Sequence, residues 1–114
     1  MGPLGLARLV TELCSERKAE EVVLLDIRRS TVIADYFVIC SGTSERHLGA
    51  LSEEIREELG RQGERGRRVE GSPRSGWILL DYGSVIVHLF SRAERDYYRL
   101  ERLWAAATPV LRLE

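Results

Sequence analysis

The sequence predicts an α/β (α+β) fold in which a single mixed sheet of about five strands carries helices mainly on one face. Three observations lead there. Apolar residues recur in the order helix, two strands, helix, three strands, helix. The stretch GWILLDYGSVIVHLF, Gly76 to Phe90, reads as two strands around a tight turn. The predicted helix within Thr43–Gly60 is long enough to carry a parallel crossover, which should be right-handed. A chain of 114 residues suffices for one domain, residues 1–114, with one core.

Leu4 to Glu16 is the first predicted helix. Leu6, Leu9, Val10, Leu13 and Cys14 form one apolar stripe, and Pro3 stands near the start, where a helix tolerates proline. Val22 to Ile27 is a short run with β-branched residues and predicts a strand. Arg28 to Thr31 is a turn, and Val32 and Ile33 lead into a buried strand over Asp35 to Ser41. Ser41-Gly42-Thr43-Ser44 then opens a helix that Thr43 or Ser44 can cap, with Leu48, Leu51, Ile55 and Leu59 facing inward and Gly60 as its stop. The opposite face, with Glu53, Glu54, Arg56, Glu57 and Glu58, reads as solvated.

Gly60 to Gly66 is a polar loop, and Val69 centres a short strand. In the Gly76–Phe90 stretch, odd and even positions alike are apolar, which implies cover on both faces of the hairpin. A two-residue turn at Tyr82-Gly83 places Trp77 and Leu79 on one face with Ile86, His88 and Phe90. A three-residue turn ending in left-handed Gly83 places them with Val85, Val87 and Leu89 instead, and the turn chemistry favours this second register. Ser91 and Glu94 fit a capping box, each satisfying the other's backbone donor. The last helix carries Tyr97, Tyr98, Leu100, Leu103 and Trp104, and Pro109 marks its limit.

Seventeen basic and eighteen acidic residues give a formal net charge of −1. A grip on nucleic-acid phosphates usually brings a clear basic excess, so a protein partner fits better. No apolar run approaches the ~20 residues of a membrane span, and the N-terminus lacks a secretory pattern, so a cytoplasmic protein is expected. Cys14 and Cys40 read as two buried thiols. His47 and His88 have no cysteine or acidic neighbour at ligand spacing, so no metal site, cofactor or catalytic residue is assigned.

Two functions from different classes fit these residues. In the first, Ser41–Ser44 binds phosphate through backbone N–H groups while Asp26 and Asp35 hold metal ions, as in nucleotidyl transfer. Against it, the turn lacks the lysine and spacing of a P-loop. In the second, aromatic residues crowded into the last third form a recognition surface, with Trp77 and Tyr82 as its best candidates.

The run Ala34-Asp35-Tyr36-Phe37-Val38-Ile39-Cys40-Ser41-Gly42-Thr43-Ser44-Glu45-Arg46-His47 is followed by Gly76-Trp77-Ile78-Leu79-Leu80-Asp81-Tyr82-Gly83, by Val87-His88-Leu89-Phe90 and by Leu100-Glu101-Arg102-Leu103-Trp104. In this order the motifs resemble the ribosomal silencing factor family, RsfS or Iojap-like, over nearly the whole chain. The resemblance implies a nucleotidyltransferase-like fold without demonstrated transferase activity. It implies binding to the large ribosomal subunit through its protein L-fourteen, a steric block on joining of the two subunits, and damped translation when nutrients are scarce. It also implies that the free protein can form a homodimer. On matching positions, the partner-binding role falls to Trp77, Leu79, Asp81, Tyr82 and His88, and more loosely to Tyr98, Leu100 and Trp104. Ser84 departs from the family pattern, which often has an acidic residue there.

Overall fold

The computed structural model describes residues 1–99 and 108–113. Helix α1 spans Pro3–Glu16, β1 Glu20–Asp26, β2 Tyr36–Gly42 and α2 Glu45–Arg61. They are followed by β3 (Arg68–Ser72), β4 (Trp77–Asp81), β5 (Val85–Ser91), α3 (Arg92–Tyr98) and β6 (Thr108–Leu113). One mixed sheet has the strand order β3-β4-β5-β2-β1-β6. β2 and β5 run parallel, and every other neighbouring pair is antiparallel.

The sheet has six strands rather than about five. The end of the chain, expected to fray after a helix, pairs with β1 as an edge strand. Pro109 is tolerated there because an edge strand can leave one side of its backbone unpaired. The last helical turns predicted around Leu103 lie outside the described residues, and the described part of α3 ends at Tyr98.

The helix stripes bury as their spacing requires. Leu6, Val10 and Cys14 of α1 and Leu48, Leu51, Ile55 and Leu59 of α2 pack on Val22, Leu24, Val38, Cys40, Leu80, Val87 and Leu89 of the sheet. Ser44 caps α2, its Oγ accepting the His47 N–H at 3.0 Å. The helix runs past Gly60 to Arg61. The second sheet face carries Val23, Leu25, Phe37, Ile39, Ile86 and Phe90, with Trp77 and Leu79 packed beside them and no residue of α1 or α2. Both faces of β5 are buried up to Phe90, as its unbroken apolar run predicts. β4 differs: Ile78 and Leu80 are buried, and Trp77, Leu79 and Asp81 are half-buried.

Cys14 and Cys40 are buried free thiols. A hydrogen bond with Cys40 and then burial hold the Cys14 thiol well above its usual range, so neither observation marks a reactive thiolate.

Candidate functional site

The register of β4 against β5 decides which side chains meet. Trp77 lies opposite Phe90, Leu79 opposite His88 and Asp81 opposite Ile86. Cross-strand partners share a face, so this is the grouping of the two-residue reading, and the three-residue register favoured by turn chemistry is overturned. The two turn residues are Gly83 and Ser84 rather than Tyr82 and Gly83. Tyr82 donates its N–H to the Val85 carbonyl at 2.9 Å, and Gly83 takes the left-handed backbone at φ 82°. Asp81 fixes the turn by accepting the Gly83 N–H at 2.8 Å on Oδ1. The fully buried Val85, directed at the helices, leaves Tyr82 on that side too.

Trp77 is held by aromatic neighbours. Its ring lies 4.9 Å from that of Phe90, and Nε1 donates to His88 Nδ1 at 3.3 Å. The His88 ring meets Phe37 edge-on at 4.6 Å. His88 is only 4% exposed, and burial pushes its pKa down to about 4. At neutral pH it is therefore uncharged. With Nδ1 accepting from Trp77, the tautomer assigned has its proton on Nε2, which has no hydrogen-bond partner among the described residues. His88 thus acts as a support for the indole.

Gly76 places the tryptophan. At φ 77°, a Cβ there would come within 2.6 Å of the Glu94 side chain and 2.8 Å of Ser91 Oγ, so only glycine lets this loop lie against the start of α3. The Ser91 N–H donates to the Gly76 carbonyl at 2.8 Å. The capping box is accordingly half made: Ser91 Oγ accepts the Glu94 N–H at 3.1 Å, while the reciprocal donor is engaged by Gly76. Trp77 and Leu79 then line a shallow cleft of about 290 Å³ with Glu70, Gly71, Ser75 and Glu94. An indole beside two carboxylates suits contact with a protein side chain.

Trp77, Leu79, Asp81 and His88 therefore share one face. Tyr82 does not join them. It packs against the helix-side core, beside Gly66, and burial raises its phenol pKa against the pull of Arg56. Tyr98 ends α3, with only its backbone described, and Leu100 and Trp104 lie outside the described residues. Glu70 and Glu94 were missed by sequence reasoning. The available signal for Glu70 was its alternation with Val69 on a strand; Glu94 was read only as a cap.

The phosphate-loop reading finds its parts apart. Asp26 pairs with Tyr36 at the opening of β2, whereas Ser41 lies five residues along that strand, on the order of 16 Å away. Asp26 is gripped by the Arg28 guanidinium through both carboxylate oxygens, whose hydrogen bonds lower its pKa. In the Ser41–Ser44 turn, the Thr43 N–H donates to His47 Nδ1 at 2.9 Å, and His47 Nε2 meets the Arg17 carbonyl at 2.7 Å. Gly42 serves packing, since a Cβ would come within 2.9 Å of Leu48. Among the described residues, no group of three or more His, Cys, Asp or Glu could hold a metal ion.

Comparison with known proteins identifies the family. Residues 3–114 match the family model described as ribosomal silencing factor during starvation. A protein of Halalkalibacterium halodurans named ribosomal silencing factor RsfS is 40% identical, over 96% of this chain and 92% of its own length. The protein of that name from Bacillus subtilis (strain 168) is 35% identical, over 94% and 91%. A crystal structure of a Chromobacterium violaceum protein superposes with a TM-score of 0.88 at 30% identity, covering 92% of this chain and 88% of that one. With the motifs, the sheet and the match over nearly every residue in agreement, the chain belongs to the ribosomal silencing factor family of RsfS and Iojap proteins.

Proposed function

We propose that this protein binds the large ribosomal subunit through its protein L-fourteen and blocks joining of the small subunit, lowering translation when nutrients are limiting. The observation that carries the reading is the placement of Trp77 and Leu79. They stand half-buried on the sheet face away from α1 and α2, beside the exposed strand β3. Family membership supports the ribosomal partner.

The mechanism is steric and uses no cofactor. A standard interface hides on the order of 800 Å² of each partner, and a few aromatic anchors supply most of the energy. Trp77 is the anchor, Leu79 widens its apolar contact, His88 holds the indole, and Asp81 keeps the turn in shape. Tyr82 contributes from the far side of the turn, and Tyr98, Leu100 and Trp104 complete the partner-binding set. The protein works in the cytoplasm and forms a homodimer when free. Among the described residues no helix is long and apolar enough to cross a membrane.

Sedimentation of purified, source-matched ribosomal subunits tests this at magnesium levels that permit joining. The protein should travel with the large subunit and whole ribosomes should diminish. Protein left at the top of the gradient, with whole ribosomes undiminished, would sink the reading.

A further inference from the structure

A second concavity of about 720 Å³ opens where the parallel strands β2 and β5 end, at Gly42 and Ser91. Its volume is within the range of small-molecule clefts, and the carboxyl ends of strands in open α/β sheets are where ligands gather. Four arginines, from α3, the residue after α3, and β6, line it together with Glu20, Glu21, Asp96 and Ser41, and Arg99 is held by Asp96 at 2.8 Å.

Arg95 forms part of the lining yet is only 6% exposed. Its Nη1 donates to the Glu21 carbonyl at 2.6 Å and to Ser41 Oγ at 3.3 Å, which fixes the guanidinium in place. Arg112 is exposed and has no ion-pair or hydrogen-bond partner among the described residues. Arg92 holds Glu20 through two hydrogen bonds of 2.6 and 2.7 Å. Both side chains face solvent, and such exposed pairs hold weakly. A phosphate group, with more charge and three acceptor oxygens, can take the Arg92 fork from Glu20 while meeting Arg112.

We infer that this arginine-lined cleft binds a small phosphate-bearing molecule, with Arg92 and Arg112 as its contacts and Arg95 as a fixed cation in the lining. The site is separate from the Trp77 cleft; it shares Ser41 with the Ser41–Ser44 turn, whose Thr43 N–H already serves His47.

Thermal unfolding of the full chain tests the inference, without magnesium and at constant ionic strength, with ATP, inorganic pyrophosphate or sulfate. A ligand stabilises the state it binds, so Tm should rise steadily with the logarithm of ATP or pyrophosphate concentration and stay flat with sulfate. Arg112→Ser should match the parent protein without ligand and lose most of the rise. Arg46→Ser, on the exposed first turn of α2, should keep it. A larger rise with ATP than with pyrophosphate identifies a nucleotide, and equal rises identify the phosphate group alone. No rise, an equal rise with sulfate, or a rise retained in Arg112→Ser overturns the site.

Discussion

Ile78 and Leu80 differ from Trp77 and Leu79 by one residue along β4, yet the two pairs belong to different parts of the molecule. Ile78 and Leu80 lie buried beneath the α1 and α2 side of the sheet. Trp77 and Leu79 are half-buried on the other side, in a cleft edged by carboxylates. All four suit a strand, so propensity does not separate them. What separates them is the parity of the β4–β5 register, and a slip of one residue would exchange the two sets. On the proposed function, the helix side of the sheet carries stability and the Trp77 side the main contact, with Tyr82 adding to it from across the turn.

The largest effect should come from the buried set. Leu80→Ala removes a fully packed side chain and should cost about 2–5 kcal/mol in urea unfolding, with the folded fraction still binding the large subunit normally. Lost affinity in that folded fraction would break the division between faces.

His88 sharpens it through pH. Its folded pKa of about 4 lies below its unfolded value. Between the two, the unfolded chain binds the extra proton. The contribution of this group is complete above pH 6.5 and declines as the pH falls, by roughly 3 kcal/mol once both values are passed. His88→Phe should remove this dependence, so the stability gap between parent and variant should change between pH 7 and pH 4.5 in urea titrations. A constant gap would mean that the imidazole is not desolvated.

Trp77→Ala should do the reverse of Leu80→Ala. The fold should persist, while affinity for the large subunit falls by about 30-fold, corresponding to about 2 kcal/mol at an anchor residue. A folded variant with unchanged affinity removes Trp77 from the interface. Smallest is Ser44→Ala, which loses the cap of α2 and should cost about 1 kcal/mol of stability, visible as a lower Tm with ribosome binding intact.

The elements that carried a strong period were legible in the sequence. The stripes of α1 and α2 and the continuous apolar run of β5 bury as read. β6 was missed because Pro109 reads first as a helix stop, although Leu111-Arg112-Leu113 alternates as an edge strand does. The register was misjudged because turn chemistry alone leaves the number of loop residues open. The outcome depends on tertiary terms: the Asp81 bond to Gly83 and the burial of Val85 under the helices. For the same reason Tyr82 was grouped with Trp77, its near neighbour in sequence, though the turn puts them on opposite faces. The cleft around Trp77 needs Glu70 and Glu94 from two other elements, and the Ser91 N–H that half the capping box required goes to a loop carbonyl. Apart from the alternation of Glu70 with Val69, neither convergence has a local signal.

The parallel pairing of β2 with β5 also governs how the chain reaches this state. Tyr36 meets Val85, and β1 is flanked on its other side by a strand that begins at Thr108. The centre of the sheet thus joins segments that leave the site of synthesis far apart in time. Until Ser91 has emerged, β2 has only β1 beside it, and its second edge stays open. High contact order of this kind slows folding and prolongs the exposure of apolar strands. A truncated or stalled chain ending before β5 is therefore expected to aggregate rather than persist as a folded fragment.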